Sequence, residues 1–288
     1  MNKIRNDLRT HTFFSAGGVS TLQENIEAAR DRDIQLLAVT DPFSALVVDE
    51  DSAGAGFSEN ETTDWDAANE EAGDQEEAPI SENLDGQEDV LIRESLGVKL
   101  LYGCEADIVS PEGYLFGIGL PGKEEYPGDV IFTPDFIVAG VSSRWKPMEI
   151  SEAKATQMYI NVIRDSNVLM LGNLCKTEIS CDINELLRVC KELHKPVEID
   201  EQSFLYGDDA VRRIRSLLTK CAEENVLICA DSGALSAAKV GQMPRLMAEL
   251  NEIDFPNDLI MNADSDIFLS NYQKAGFATI NTPWGTYQ

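Results

Sequence analysis

Short apolar runs alternate with amphipathic stretches along most of this chain. The runs predict β-strands at 35–40, 98–102, 136–141, 168–171, 197–199 and 226–229. Apolar positions spaced three or four apart predict helices at 21–32, 152–164, 184–193 and 209–224. Strands separated by helices favour parallel pairing through right-handed crossovers, so the pattern predicts an α/β fold. At least six such strands favour a closed or distorted barrel over an open sheet.

The charge of the chain is concentrated in one segment. The 288 residues carry a formal net charge of -28, and residues 49–89 contain many Asp and Glu but no Lys, Arg or His. Such a composition cannot bury enough apolar surface to offset the entropy of ordering, so we expect a disordered, low-complexity acidic insertion within a single domain spanning 1–288. Three roles stay open for it: a solvated surface loop, a docking segment for a basic protein partner, or a weak divalent-cation binder.

Composition also excludes several classes of partner. A sequence pI near 4.2 argues against binding to nucleic acid or to anionic membranes, because both require clustered Lys and Arg. The sequence has no apolar run of membrane-spanning length and no signal-peptide core, so we expect a cytoplasmic protein. Its six cysteines form no C-x-x-C pair, and we interpret them as reduced, mostly buried thiols.

Polar or glycine-containing segments follow the predicted strands in a recurring order. They lie at 7–12, 40–42, 103–105, 139–142, 171–173, 198–200 and 232–235. In that order they resemble the motifs of the PHP (polymerase and histidinol phosphatase) family, in particular its bacterial zinc-phosphatase-like branch. The resemblance implies a distorted seven-stranded (β/α) barrel of TIM-like type. It also implies three metal ions at the strand C-termini that hydrolyse phosphoesters.

The metal ligands are where this sequence departs from the family it resembles. Of nine ligand positions that can be matched, only His11 and Glu105 keep the family's residue. The substituted positions are Arg9, Gly17, Pro42, Ser142, Asn173, Gly233 and Leu235. A multinuclear site needs several ligands per ion, so two survivors cannot assemble the cluster. We therefore expect no metal cofactor and a catalytically inactive pseudoenzyme that binds a ligand or a partner.

Arg9 suggests what replaces the metal. A guanidinium at a former ligand position could neutralise Glu105 and bind it through two hydrogen bonds, so we predict an ion pair between them. The competing interpretation makes Arg9 a surface residue and leaves Glu105 bonded to the backbone. Arg9 and Arg144 are also candidates for binding a small anionic or phosphorylated ligand.

Two alternatives to the pseudoenzyme remain open. The first is a divergent phosphoesterase with one Mn²⁺, Mg²⁺ or Zn²⁺ held by His11 and Glu105. Aspartates near strand ends could complete such a site, namely Asp7, Asp41, Asp107 and Asp231. The second is a scaffold or regulatory subunit that docks through the acidic segment 49–89.

Overall fold

The computed structural model describes residues 4–45, 47–48, 92–116, 129–130, 134–141 and 150–277. The acidic segment 49–89, Ser142 and Arg144 lie outside these ranges. The strands are β1 (Asn6–Thr10), β2 (Leu36–Val39), β3 (Val47–Val48), β4 (Glu94–Ser95), β5 (Val98–Tyr102), β6 (Cys104–Asp107), β7 (Asp129–Val130), β8 (Ile137–Gly140), β9 (Val168–Leu171), β10 (Val197–Asp200) and β11 (Ile228–Asp231). The α-helices are α1 (Leu22–Asp31), α2 (Glu152–Arg164), α3 (Ile183–Glu192), α4 (Asp208–Glu224), α5 (Pro244–Glu252) and α6 (Ser265–Lys274).

Parallel pairing dominates two sheets, which confirms the predicted α/β class. One sheet has the order β1-β2-β5-β4 and the other β11-β10-β9-β8-β6, while β3 and β7 form a short antiparallel pair. Isolated parallel bridges join Thr10 to Ala234 and Pro42 to Glu105, so the edges of the two large sheets approach each other at these points. Hydrogen bonding divides the strands into separate sheets, and the closed barrel stays a prediction.

The strands form the buried centre of the molecule, and the helices cover it. Strands β8 to β11 are buried at every residue, as expected when both faces of a parallel sheet are covered. Helix α1 begins with a capping box between Thr21 and Glu24, and α3 begins at Asp182, whose carboxylate accepts from two backbone N–H groups. Lys195 caps the C-terminal end of α2, because its Nζ donates to the carbonyl oxygens of Ile163 and Asp165.

Most predicted elements occur within one or two residues of their expected bounds. The strand expected at 226–229 instead spans Ile228–Asp231, which places Asp231 inside the sheet. Strand β6 continues directly from β5 after Gly103, where a longer side chain would collide with Phe136. All six cysteines are free thiols, as predicted, and five of them are buried. No helix among the described residues has the length and apolar character needed to cross a membrane.

Candidate functional site

Arg9 lies near the end of β1 and points into the interior, where only 4% of the residue is exposed. Its Nε and Nη2 atoms both lie 2.5 Å from Glu105 Oε1 of β6. Nη2 also donates to Asn173 Oδ1 at 3.1 Å. The ion pair predicted between Arg9 and Glu105 is therefore present, and a surface position for Arg9 was the wrong alternative.

Two further carboxylates meet the same guanidinium. Nη1 of Arg9 lies 2.8 Å from Glu198 Oε2 and 2.8 Å from Asp200 Oδ2. Both acids come from β10, where alternate residues point to the same face of the strand. Lys176 adds a second cation, with its Nζ 2.5 Å from Asp200 Oδ2. We call Arg9, Glu105, Asn173, Glu198, Asp200 and Lys176 the Arg9 network.

The pKa values within the Arg9 network reflect a balance between burial, which disfavours charge, and ion pairing, which favours it. Burial alone would lower the pKa of Arg9, but Glu105, Glu198 and Asp200 hold that pKa well above its usual value. Burial would raise the pKa of Asp200, yet Lys176 and Arg9 hold it at about 2. At Glu198 burial prevails over Arg9 and raises the pKa to about 7. Pairing thus favours the ionised form of Asp200, whereas burial favours the protonated form of Glu198.

Two glycines make room for this arrangement. A Cβ atom at Gly172 would lie 2.9 Å from a methyl carbon of Val138 and 3.2 Å from Glu198 Oε2. Gly233 has a φ of 59°, a region that favours glycine, and a Cβ there would lie 3.0 Å from Asp200 Oδ2. A side chain at position 233 would thus crowd the carboxylate of Asp200.

His11 lies beside the Arg9 network and is held by hydrogen bonds of its own. Its Nδ1 atom is 3.1 Å from Ser15 Oγ, and Ser15 Oγ donates to Asp41 Oδ1 at 2.5 Å. Asp41 also accepts from the backbone N–H and the hydroxyl of Thr12. Nε2 of His11 lies 3.4 Å from Glu105 Oε1. Burial lowers the pKa of His11, although Glu105 opposes that shift.

A second buried group of acids ties β1 to β11. Asp7 accepts from the hydroxyl and backbone N–H of Ser232 and from the backbone N–H of Gly241. Asp231 Oδ1 accepts from the backbone N–H of Leu8 and from Asn262. Burial, together with the neighbouring Asp7, raises the pKa of Asp231 well above its usual value. These two aspartates join strands, and we assign them a structural role.

Three further positions taken from the family resemblance lie within the described ranges, namely Gly17, Pro42 and Leu235. Gly17 has a φ of 87°, and a Cβ there would lie 3.7 Å from a methyl carbon of Leu235. Pro42 forms a bridge with Glu105 through the backbone. Ser142 and Arg144 lie outside the described residues, so their sequence-based roles stay predictions.

The donor atoms present do not fit the metal site that the resemblance implies. Both oxygens of Asp7 and both oxygens of Asp41 accept hydrogen bonds from protein groups. Three carboxylates of the Arg9 network already face a guanidinium. Within the part of the chain that the structure describes, no group of three or more His, Cys, Asp or Glu residues is arranged to hold a metal ion. Among the described members of this site, Glu198 Oε1 is buried without a hydrogen-bond partner, and His11 Nε2 lies beside the Glu105 carboxylate.

Sequence reasoning missed the part played by Glu198, Asp200 and Lys176. The signal for the two acids was visible, because Val197-Glu198-Ile199-Asp200 alternates apolar and acidic residues in a strand between two covered faces. Burial of every residue of that strand requires partners of opposite charge for the acids. Lys176 gave no such signal, since it stands in an irregular segment after β9.

Comparison with known proteins gives relatives that align along nearly the whole chain. No family model matches it. It is 25% identical over 263 residues to a probable phosphatase of Acetivibrio thermocellus, covering 91% of this chain and 92% of the relative. It is 24% identical over 272 residues to a probable phosphatase of Clostridium botulinum strain Langeland, covering 94% and 95% of the two chains.

A solved structure was also found. The histidinol phosphate phosphatase of Lactococcus lactis, in complex with zinc, L-histidinol and phosphate, superposes with a TM-score of 0.43 at 14% identity, covering 95% of this chain and 94% of that one. By sequence, the chain is thus similar over nine-tenths of its length to proteins named probable phosphatases.

Proposed function

We propose that this chain is a phosphatase-related pseudoenzyme of the PHP type, in which an internal cation has replaced the catalytic metals. In this proposal the opening beside Arg9 binds a ligand or a partner and does not hydrolyse phosphoesters. The observation that carries the proposal is the position of Arg9, whose three guanidinium nitrogens all contact side-chain acceptors.

The chemistry of the guanidinium supports this view. Metal-dependent phosphoesterases use the metal to polarise phosphoryl oxygens and to lower the pKa of a bound water. Arg9 supplies a positive charge and hydrogen bonds, but it has no open coordination position for water. The charge of Arg9 is also neutralised within the protein, because Glu105, Glu198 and Asp200 all pair with it. The positive charge that should attract a phosphate is therefore neutralised before a substrate arrives.

The net charge of the opening argues in the same direction. Arg9 and Lys176 face the carboxylates of Asp200, Glu105 and Glu198, so acidic groups at this surface outnumber basic ones. A phosphate dianion entering this surface would gain no free nitrogen of Arg9. The anionic ligand expected from the sequence would thus depend on Arg144, which lies outside the described residues.

A divergent phosphoesterase with a single metal is the second candidate. It is favoured by the similarity to proteins named probable phosphatases over 91% of the chain. His11 and Glu105, the two retained ligand positions, also lie together at the opening. Docking of a basic partner through 49–89 stays a prediction, which deletion of that segment would test by loss of partner capture.

A turnover assay distinguishes the pseudoenzyme from the single-metal phosphoesterase. Hydrolysis of p-nitrophenyl phosphate and bis(p-nitrophenyl) phosphate would be measured with and without added Mn²⁺ or Zn²⁺. The matched controls are His11→Ala and Glu105→Gln, purified in the same way to reveal contaminating phosphatases. We expect the same background rate in all three proteins. Metal-dependent turnover that disappears in His11→Ala would overturn the pseudoenzyme proposal in favour of the single-metal enzyme.

A further inference from the structure

We propose that an apolar rim beside the Arg9 network docks a short segment of a partner protein, in which Lys or Arg residues accompany aromatic or aliphatic ones. The rim consists of six exposed side chains, namely Phe13, Phe14, Val19, Leu205, Tyr206 and Leu235. The inference rests on the proposed function, in which this opening binds a ligand or a partner, and it names the chemistry of that partner.

The rim gathers large apolar side chains that water would otherwise surround. Val19 is 74% exposed, Leu205 is 66% exposed and Phe14 is 64% exposed. The ring centres of Phe13 and Phe14 lie 4.3 Å apart. Most of the large hydrophobic side chains that are exposed among the described residues belong to the rim. Single exposed hydrophobic residues are common on a monomer, but several together are typical of an interaction site.

The strand order brings the three loops of the rim to one edge of the fold. These loops follow β1, β10 and β11. Strands β10 and β11 pair in parallel, and a parallel bridge joins Thr10 at the end of β1 to Ala234 after β11. The loops therefore leave the same ends of neighbouring strands. The rim also reaches the Arg9 network, because Nζ of Lys176 lies 5.8 Å from the ring centre of Tyr206.

Direct contacts join the loops to one another. The backbone N–H of Val19 donates to the carbonyl oxygen of Leu235 at 3.0 Å. A Cβ atom at Gly233 would lie 3.0 Å from Cγ of Gln202, in the loop after β10. The loop after β11 thus lies between the other two, and the exposed side chains of all three belong to one surface.

The size of the rim fits a short segment better than a second copy of this chain. With about 150–200 Å² for a fully exposed side chain of this size, the exposed fractions correspond to roughly 500–700 Å². A standard protein interface buries about 800 Å² on each partner. Two copies that each carry a formal net charge of -28 would also repel each other. The rim therefore suits a segment of a different protein.

The charges beside the rim determine the sign of that partner. The three loops, 11–21, 200–209 and 232–238, carry no Lys or Arg, and their acidic residues are Asp200, Glu201, Asp208 and Asp209. Lys176 already pairs with Asp200, and Lys239 is the first cation after the last loop. A segment with Lys or Arg beside apolar residues can bury the latter on the rim while its charges meet an acidic surface. An acidic segment would be repelled.

The test uses the full chain and a fluorescein-labelled peptide of sequence Lys-Phe-Ser-Lys-Leu-Ser-Lys-Phe-Ser-Lys. Binding would be followed by fluorescence anisotropy at about 0.15 M ionic strength, which screens non-specific attraction between charges. One control peptide has Ser in place of Phe and Leu, and the other has Glu in place of Lys. We expect saturable binding of the first peptide, at least about tenfold tighter than that of either control.

Substitutions on the rim locate the binding. Phe14→Ser and Leu205→Ser should each weaken it at least about tenfold, because truncating an apolar anchor of an interface commonly has that effect. Both side chains are exposed, so these variants should keep the fold. The matched control is Leu96→Ser, in the turn before β5, where the side chain is 48% exposed at the opposite ends of the parallel strands. This control should bind the peptide as the wild type does.

The inference is overturned if the first peptide shows no saturable binding, or if either control peptide binds equally well. It is also overturned if Phe14→Ser or Leu205→Ser binds like the wild type, or if Leu96→Ser weakens binding to the same extent. A wild-type dimer in sedimentation that Phe14→Ser converts to a monomer would make a second copy the occupant and overturn it too. Metal-dependent turnover in the preceding assay would remove the proposed function itself, whereas absence of peptide binding without turnover removes only this inference.

Discussion

Replacing Arg9 with methionine removes the guanidinium and keeps most of the length of the side chain. Glu105, Glu198 and Asp200 then lose the cation that all three contact. Lys176 still reaches Asp200, but no positive charge within the Arg9 network replaces the one lost at Glu198. The substitution therefore leaves the buried carboxylate of Glu198 without an ion-pair partner and Asp200 with Lys176 alone, which is more costly than losing an exposed ion pair.

The expected loss of stability follows from burial. Removing one partner of a buried ion pair costs about 3–5 kcal/mol, against a total stability of about 5–15 kcal/mol for a typical domain. Arg9 is 4% exposed and contacts three carboxylates, so we expect the upper part of that range. Pairing with Arg9 helps to hold the pKa of Asp200 at about 2, below its unfolded value. That contribution is present above the unfolded pKa of 3.8 and is lost as pH falls toward about 2. The difference in unfolding free energy between wild type and Arg9→Met should therefore be smaller at pH 3 than at pH 7.

Urea denaturation at pH 7 and pH 3 measures both effects, provided that the dependence on urea concentration is unchanged. The matched control is Arg212→Met on α4, where the arginine side chain is 70% exposed and pairs with Asp209. We expect the control to change stability by less than about 0.5 kcal/mol. An Arg9→Met loss below about 1 kcal/mol, the size typical of exposed pairs, would refute the reasoning.

Three further predictions concern the surroundings of Arg9 and one helix end. Burial raises the folded pKa of Glu198 to about 7, above its unfolded value, so the free energy of unfolding of the wild type should fall as pH rises toward 8. Glu198→Gln should weaken that pH dependence, which urea titrations at several pH values would measure. Gly172→Ala should lower stability by about 1–3 kcal/mol in the same assay, because its Cβ would crowd Val138 and Glu198; a neutral effect would show that the site can expand. Lys195→Met should lower the free energy of unfolding by about 1–3 kcal/mol, because two carbonyl oxygens at the C-terminal end of α2 lose their donor. The thermal midpoint should fall with it, and an unchanged midpoint would contradict this role.

The α/β class was predictable because the signals for it are local. Apolar runs of four or five residues and helical spacing marked β5, β9 and α2 with the bounds that the structure has. Strand β11 was expected two residues too early, since Val226 and Leu227 extend the apolar run before the sheet begins. Closure of the sheets depends on contacts between distant strands, and such contacts leave no local pattern.

The candidate site was only partly predictable for the same reason. The pairing of Arg9 with Glu105 could be inferred, because a cation at a ligand position needs a nearby carboxylate. The contacts to Glu198 and Asp200 depend on the register and tilt of β10, which the sequence alone does not specify. The chain of hydrogen bonds from His11 through Ser15 to Asp41 required the fold of the loop after β1.

Metal binding by the wild-type protein tests the central claim most directly, namely that Arg9 takes the place of the catalytic metals. Protein purified without chelator would be analysed for metal content by elemental mass spectrometry and then dialysed to equilibrium against Mn²⁺. If Arg9 replaces the metals, the protein contains far less than one metal ion per chain and gains no saturable Mn²⁺ site. One or more tightly bound ions per chain, lost in His11→Ala or Glu105→Gln, would contradict the account and show that these residues still hold a metal.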